Sequence, residues 1–472
     1  MTRRVVVVGY GMAGARLVEE IRRRDPAGAR VHVTVLGEER HPAYNRVLLS
    51  AVVGGSMTPD AVRLPRPAGV APRLGTAVRA VDRAARRVLL ADGSTVDYDV
   101  LVLATGSRPW VPPTEGLTGD DGELSAGVAA FRTLDDCERI LAQARPGAPV
   151  AVLGGGLLGL EAARGLATRG CRVTVIHPVG NLMERQLDPA AGRVLARILT
   201  GFGIELRLGV LAAGYLRGDG LKLDDGSLVP AELVVVSAGV LPRTELAEAA
   251  GLAVDRGVLV DDELCTNDPR VHAIGDCARH PGTVAGLVQP AWEQAAVLAD
   301  LVTGADPAAR YLGTPVVTRL KARDVDLAAL GEVHTGPDDT EAEVLCLQDT
   351  VGGRYGKLVI RDGQITGAIM LGLPDAAATV TQLYDRGVPA PSDRIALLLG
   401  RSGAPTAHSP ADLPASALIC RCNTVTKGQL VTAWRAGKRD VAGLAESTRA
   451  TTGCGSCRDT VRGIAEWLAA TS

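Results

Sequence analysis

An α/β chain built on two dinucleotide-binding units, followed by a small α+β domain and a small helical C-terminal module, is the architecture this sequence predicts, and three observations carry it. Two glycine-rich turns of G-x-G-x-x-G spacing, in "VVVVGYGMAGARL" and "AVLGGGLLGLEAA", each sit between an apolar strand run and a helical pattern. A stretch rich in Pro, Ser and Ala begins at Val388. Four cysteines in close pairs lie beyond it. The 472 residues, 46% hydrophobic and 22% charged, hold core material for several domains, which excludes overall disorder. A net charge of −2 gives no global basic field, so no nucleic-acid partner is expected. The apolar run at Val5–Val8 is too short for a membrane span and glycines interrupt it, so the expectation is a soluble, unprocessed N-terminus and no membrane partner. Of nine cysteines, Cys137, Cys171, Cys265, Cys277 and Cys346 are scattered, which argues against a disulfide framework and for the reducing cytoplasm.

The first turn carries Gly9, Gly11 and Gly14, with Met12 and Ala13 between them. The second carries Gly154, Gly156 and Gly159, with Glu161 on the helix that follows. In each, the first glycine allows a tight turn, the second lets a pyrophosphate approach the backbone, and the third lets helix pack on strand. One such turn can arise for packing alone; two in strand–turn–helix context point to two bound dinucleotides. After the first, the strand "VHVTVLGEE" runs into Glu38, the candidate ribose ligand, with a plain surface acid as the alternative. After the second, "CRVTVIHPVG" ends at His177 with neither a carboxylate nor an adjacent arginine, so a free ribose and a 2′-phosphate both remain open.

Three further stretches, "VLVLATGSRPWVPP", "LVVVSAGVLPRTEL" and "CTNDPRVHAIGDCA", resemble signatures of the pyridine nucleotide-disulfide reductase superfamily, over residues 1 to about 305. That resemblance implies an FAD-binding domain in two segments, 1–112 and 244–306, with an NAD(P)-binding domain, 113–243, inserted between them. FAD is then the resident cofactor and NADH or NADPH the substrate. It also implies that Ala104, Thr105, Gly106, Gly239, Gly275 and Asp276 lie at the cofactors, with Asp276 on the FAD ribityl chain; capping of the next helix is the structural alternative for Asp276. Disulfide reductases of the group need redox cysteines beside the flavin. Here Leu49, Ser50 and Ala51 stand in that region, and Cys277 reads as a small buried core residue. No catalytic residue is therefore assigned. "EERHPAYNRVLLS", "NLMERQLD", "GLVQPAWEQA" and "TRLKARDVDLAALGE" resemble, more narrowly, the large subunit of assimilatory NAD(P)H nitrite reductase and the electron-transfer subunits of assimilatory nitrate reductase. This likeness implies that Asn45, Arg46 and Glu293 lie near the flavin and that residues 307–387 form a small domain. Within it, two strands are expected about a turn at Asp362 and Gly363.

Residues 388–416 read as a linker and 417–472 as a separate module. Its Cys420, Cys422, Cys454 and Cys457 form C-x-C, 31 intervening residues, then C-x-x-C. Four soft thiolates select zinc or an iron–sulfur cluster, and C-x-C fits a zinc ribbon less well than two C-x₂-C halves. "ICRCN" and "TGCGSC" resemble the bacterioferritin-associated-ferredoxin-like [2Fe-2S] domain. The combination implies an electron relay from NAD(P)H through FAD and a [2Fe-2S] cluster. No siroheme region is expected after Cys457, so the implied acceptor is a separate terminal reductase, such as a molybdenum nitrate reductase. The alternatives are a subunit of an amine or imino-acid oxidase, a ferredoxin-type reductase, and a redox-sensing binding protein.

Overall fold

Near-continuous Val/Leu runs suit strands covered on both faces, and they form two parallel sheets. The computed structural model describes all residues except 1, 68, 283, 285, 402–410, 412, 422, 424, 453–456 and 472. In the first sheet the strands run in the order Val271–Ala273, Val100–Leu103, Arg3–Val8, Val31–Leu36, all parallel. Helices Met12–Arg24 and Val288–Thr303 pack on each other beside it. The second sheet is also parallel, in the order Glu205–Leu208, Arg172–His177, Pro149–Leu153, Leu233–Val236, Val128–Ala130. The chain leaves the first unit along Ser107–Pro109 and returns along Val240–Pro242, and these two segments pair antiparallel.

A third, antiparallel sheet holds Val317–Leu320, Leu327–Gly331, Gln364–Leu371, Arg354–Arg361 and Glu343–Asp349, with helix Pro374–Arg386 against it. Its central hairpin turns at Asp362 (φ 48°) and Gly363 (φ 74°), the left-handed pair a two-residue turn requires. The stretch read as linker differs from that reading. Residues Arg394–Leu398 form a helix, because Leu397 and Leu398 complete the core of this small domain. The C-terminal module is a short hairpin, Leu418–Cys420 with Val425–Thr426, followed by helices Lys427–Arg435, Val441–Thr448 and Arg458–Thr471. No helix among the described residues is long and apolar enough to cross a membrane.

A buried ion pair fastens the small domain to the second unit. The Lys357 ammonium, almost fully buried, donates to Asp188 Oδ2 at 3.0 Å and to the Val333 carbonyl at 2.8 Å. Asp188 also caps helix Pro189–Gly201 through Ala191 N and accepts from the Tyr355 hydroxyl at 2.7 Å. Burial alone would raise the Asp188 pKa; these hydrogen bonds outweigh it and hold the carboxyl below its usual value. Lys357→Met leaves that carboxylate uncompensated and is expected to destabilise the protein by about 3–5 kcal/mol in urea unfolding. Because the folded pKa is depressed, the Asp188 contribution is complete above the ordinary carboxyl range and is lost as pH falls through the depressed value. The stability gap between wild type and Asp188→Asn should accordingly be flat at neutral pH and close only in acid below that range.

Candidate functional site

The three glycines of each turn do two different things. Gly9 lies at φ 109°, and a Cβ there would stand 2.1 Å from the Ala104 carbonyl oxygen. A Cβ on Gly14 would stand 2.0 Å from the Gly9 carbonyl. Both are glycine because protein backbone fills the space. Gly11 is different: its backbone is extended, and the nearest atoms to a Cβ are those of the Arg46 guanidinium at 3.9 Å. The second turn repeats the scheme, with Gly154 against Ser237, Gly159 against Gly154, and nothing within 4 Å of Gly156. Nothing in the fold requires glycine at the middle position, so the space it leaves fits a ligand that approaches the backbone. Helices Met12–Arg24, Leu157–Thr168 and Val288–Thr303 also start without a side-chain cap, whereas Thr133, Asp188, Thr426 and Asp440 cap others. Their N–H groups remain for an anion.

One cavity of about 630 Å³ receives all three of these helix starts, a size suited to a cofactor. Gly9, Gly11, Met12, Ala13, Glu38, Arg46, Ala104, Thr105, Gly106, Glu161, Gly275 and Asp276 line it; Gly14 lies behind its wall. Asp276 accepts from Ser107 Oγ at 3.0 Å and pairs with Arg132. Glu38 pairs with Arg243. Arg46 pairs with Glu39, stacks over the Tyr44 ring at 4.8 Å and donates to the Arg132 carbonyl at 3.1 Å. The Tyr44 hydroxyl donates to Glu39 at 2.6 Å and accepts from Leu134 N at 3.2 Å; burial pushes its pKa upward. Arg132, Arg243, Arg319, Lys321 and Arg421 also line this cavity and were not legible as site residues.

Glu161 lies where the two units and the small domain meet. Its carboxylate accepts from Ser50 Oγ at 2.9 Å and from Lys321 N at 3.0 Å. Of the region where disulfide reductases carry cysteine, Leu49 reaches the cavity wall. Cys277 is fully buried against the Leu103 and Ile274 carbonyls, and burial raises its thiol pKa, which suits a core residue rather than a nucleophile. Gly239, at φ 128°, lies between strands Leu233–Val236 and Val240–Pro242 and does not line the cavity. His177 is buried beside the second turn, where its Nδ1 accepts from Gly155 N at 3.1 Å. Two residues expected near the flavin have other partners. Glu293 accepts from Gln289 Nε2 at 2.9 Å and Thr314 Oγ1 at 2.5 Å, outside the cavity lining. Asn45 donates from Nδ2 to the Thr452 carbonyl at 2.7 Å, so it ties the first unit to the C-terminal module.

Cys420 and Cys457 are both buried in the module's small apolar core, and Asn423 Nδ2 donates to Cys420 Sγ at 3.6 Å. Cys422 and Cys454 lie outside the described residues. Two thiols buried in one small core fit a thiolate-ligated centre. The module does not stand apart. Trp292, from helix Val288–Thr303, is part of its core, and Arg449 pairs with Glu19 and Glu20 on helix Met12–Arg24. Arg421, next to Cys420, reaches the cavity wall, pairs with Asp385 and donates to the Pro315 carbonyl at 2.8 Å. Burial lowers its pKa.

Residues 3–295 match the family pyridine nucleotide-disulphide oxidoreductase, 316–386 the rubredoxin NAD+ reductase C-terminal domain, and 418–467 the BFD-like [2Fe-2S] binding domain. The assimilatory nitrate reductase electron transfer subunit of Bacillus subtilis (strain 168) is 34% identical over 477 residues, covering 99% of this chain and 60% of that protein. Nitrite reductase [NAD(P)H] of the same organism is 34% identical over 472 residues, covering 98% of this chain and 57% of that protein. The chain thus spans under two thirds of the length of these relatives. The covalent putidaredoxin reductase–putidaredoxin complex aligns with a TM-score of 0.75 at 25% identity, covering 86% of this chain and 97% of that one.

Proposed function

From the premise that this chain belongs to the pyridine nucleotide-disulphide oxidoreductase family, we propose that it takes electrons from NADH or NADPH and passes them, through FAD and a [2Fe-2S] cluster, to a separate terminal reductase. An FAD- and NAD(P)H-binding oxidoreductase fold is followed by a BFD-like [2Fe-2S] domain. The finer reading takes the acceptor as an assimilatory nitrate reductase, by likeness to the Bacillus subtilis subunit; a molybdenum-class acceptor, and a cytoplasmic location from the scattered cysteines, are part of the same proposal. One observation carries the relay: Arg421, adjacent to the buried Cys420, lines the same cavity as Gly11 and Asp276.

A flavin accepts a hydride and gives up electrons singly, whereas a [2Fe-2S] centre takes them one at a time. The residues divide this work. Gly11 and the uncapped start of helix Met12–Arg24 receive a pyrophosphate, Glu38 the adenosine ribose and Asp276 the ribityl hydroxyls. Domain bounds follow: 1–112 with 244–306 bind FAD, and 113–243 bind the nicotinamide nucleotide. Cys420, Cys422, Cys454 and Cys457 supply the thiolates. Asn45, Trp292 and Arg449 hold the module against the flavin unit, so the exit lies beside the cavity.

Protein purified without oxygen is expected to carry one FAD, two irons and two labile sulfides, and NAD(P)H should bleach first the flavin and then the cluster. Zinc with no sulfide, or a flavin that NAD(P)H leaves oxidised, would remove this assignment.

A further inference from the structure

The two glycine turns differ in where they carry bulk. Leu36 pairs with Val8 in the first sheet, and Ile176 pairs with Leu153 in the second, each just before the first glycine of its turn. His177 therefore stands where the first unit has Gly37, and Pro178 where it has Glu38. In the first unit the large side chain is in the turn, at Tyr10, and a Cβ on Gly37 would lie 3.1 Å from it. In the second the sizes are exchanged: the turn has Gly155, and a Cβ there would lie 2.8 Å from the His177 ring. The strand end thereby loses its carboxylate to a proline.

A carboxylate arrives from further along the chain. Met183, buried and at φ 52°, donates its N–H to the Gly155 carbonyl at 3.0 Å, which folds this segment back over the turn. Glu184 Oε2 then lies 3.0 Å from His177 Nε2. Because Nδ1 accepts from Gly155 N at 3.1 Å, the ring proton is on Nε2 and is donated to Glu184. The carboxylate is thus oriented through the ring to the glycine turn itself. Glu184 is one-third exposed, and its Oε1 makes no hydrogen bond among the described residues. The adenosine ribose of a dinucleotide lies beyond the second strand at this edge.

We propose that Glu184 is the ribose-binding, specificity-determining carboxylate of the nicotinamide site, with His177 as its positioning residue, so that this chain selects NADH over NADPH. The inference rests on reading the second turn as the nicotinamide site. A free 2′-hydroxyl can donate to Glu184, whereas a 2′-phosphate would meet a like charge and lose that bond. The exposed Arg185, next in sequence to Glu184, is a group that could favour the phosphate instead.

The test uses the holoprotein with ferricyanide as acceptor, beside calorimetric titration with ADP-ribose and 2′-phospho-ADP-ribose. Wild type is expected to prefer NADH and ADP-ribose at least about tenfold, the worth of one hydrogen bond to a charged group. Glu184→Gln should raise KM for NADH and the ADP-ribose Kd by about tenfold with kcat little changed, and narrow the preference over NADPH by a similar factor. His177→Asn should move both in the same direction. Preference for the 2′-phosphorylated ligands in wild type, or an unchanged ratio in Glu184→Gln, would overturn the proposal and leave the nicotinamide site standing. Failure of both nucleotides to bind would remove the nicotinamide reading and this inference with it.

Discussion

Cys420→Ser is expected to yield a protein that keeps its FAD and its NAD(P)H-dependent flavin bleaching but contains no iron–sulfur centre. Cys420 is fully buried, receives the Asn423 amide at 3.6 Å and shares its core with Trp292 and Trp434. A serine hydroxyl is a hard ligand and a poor substitute for a thiolate at iron, so three remaining sulfurs should not retain the cluster. Apart from Arg421, the proposed flavin cavity is lined by other segments, around Gly11, Ala104 and Asp276. Stopped-flow bleaching of the flavin should therefore run near the wild-type rate, and a dye reduced directly by flavin should still turn over. Reduction of the physiological acceptor should fall to background, and iron, sulfide and the cluster's spectral signal should be absent. If acceptor reduction survives in the cluster-free variant, electrons leave the flavin directly and the C-terminal cysteines are structural.

What was legible in the sequence was whatever is local. Strand, glycine spacing and helix sit within one short window, so both turns could be read, and the Asp362–Gly363 hairpin likewise depends on two adjacent left-handed residues. The cavity's cationic lining depends on long-range approach instead. Arg132 meets Asp276 across 144 positions and Arg243 meets Glu38 across 205, and no local pattern marks either pair. Asn45 shows the same limit in a different form: its neighbour Arg46 turns to the cavity, while Asn45 bonds Thr452 of a module 407 residues away. The helix Arg394–Leu398 was hidden because two buried leucines sit in an otherwise linker-like composition.

Gly11→Val and Gly156→Val are expected to abolish one nucleotide site each without unfolding the chain. Both glycines have extended backbones that any residue adopts (φ −79°, ψ −162° and φ −84°, ψ −178°). A Cβ at Gly11 meets only the far end of the Arg46 side chain at 3.9 Å, and one at Gly156 meets nothing within 4 Å. Gly9→Val and Gly14→Val are the opposite case, since their Cβ atoms would stand 2.1 and 2.0 Å from backbone carbonyl oxygens. The middle-position variants should purify folded: Gly11→Val without FAD, and Gly156→Val with normal FAD but no measurable NADH binding. A bound cofactor stabilises the native state by mass action, so Gly11→Val should melt below holo wild type regardless of any packing defect. The informative comparison is with wild type stripped of FAD, whose melting temperature Gly11→Val should match. A variant that melts well below the stripped protein would mean that the valine strains the fold, and its missing flavin would then say nothing about where the pyrophosphate sits. Normal FAD content in Gly11→Val, or normal NADH kinetics in Gly156→Val, would show that the pyrophosphate does not use the space these glycines leave open.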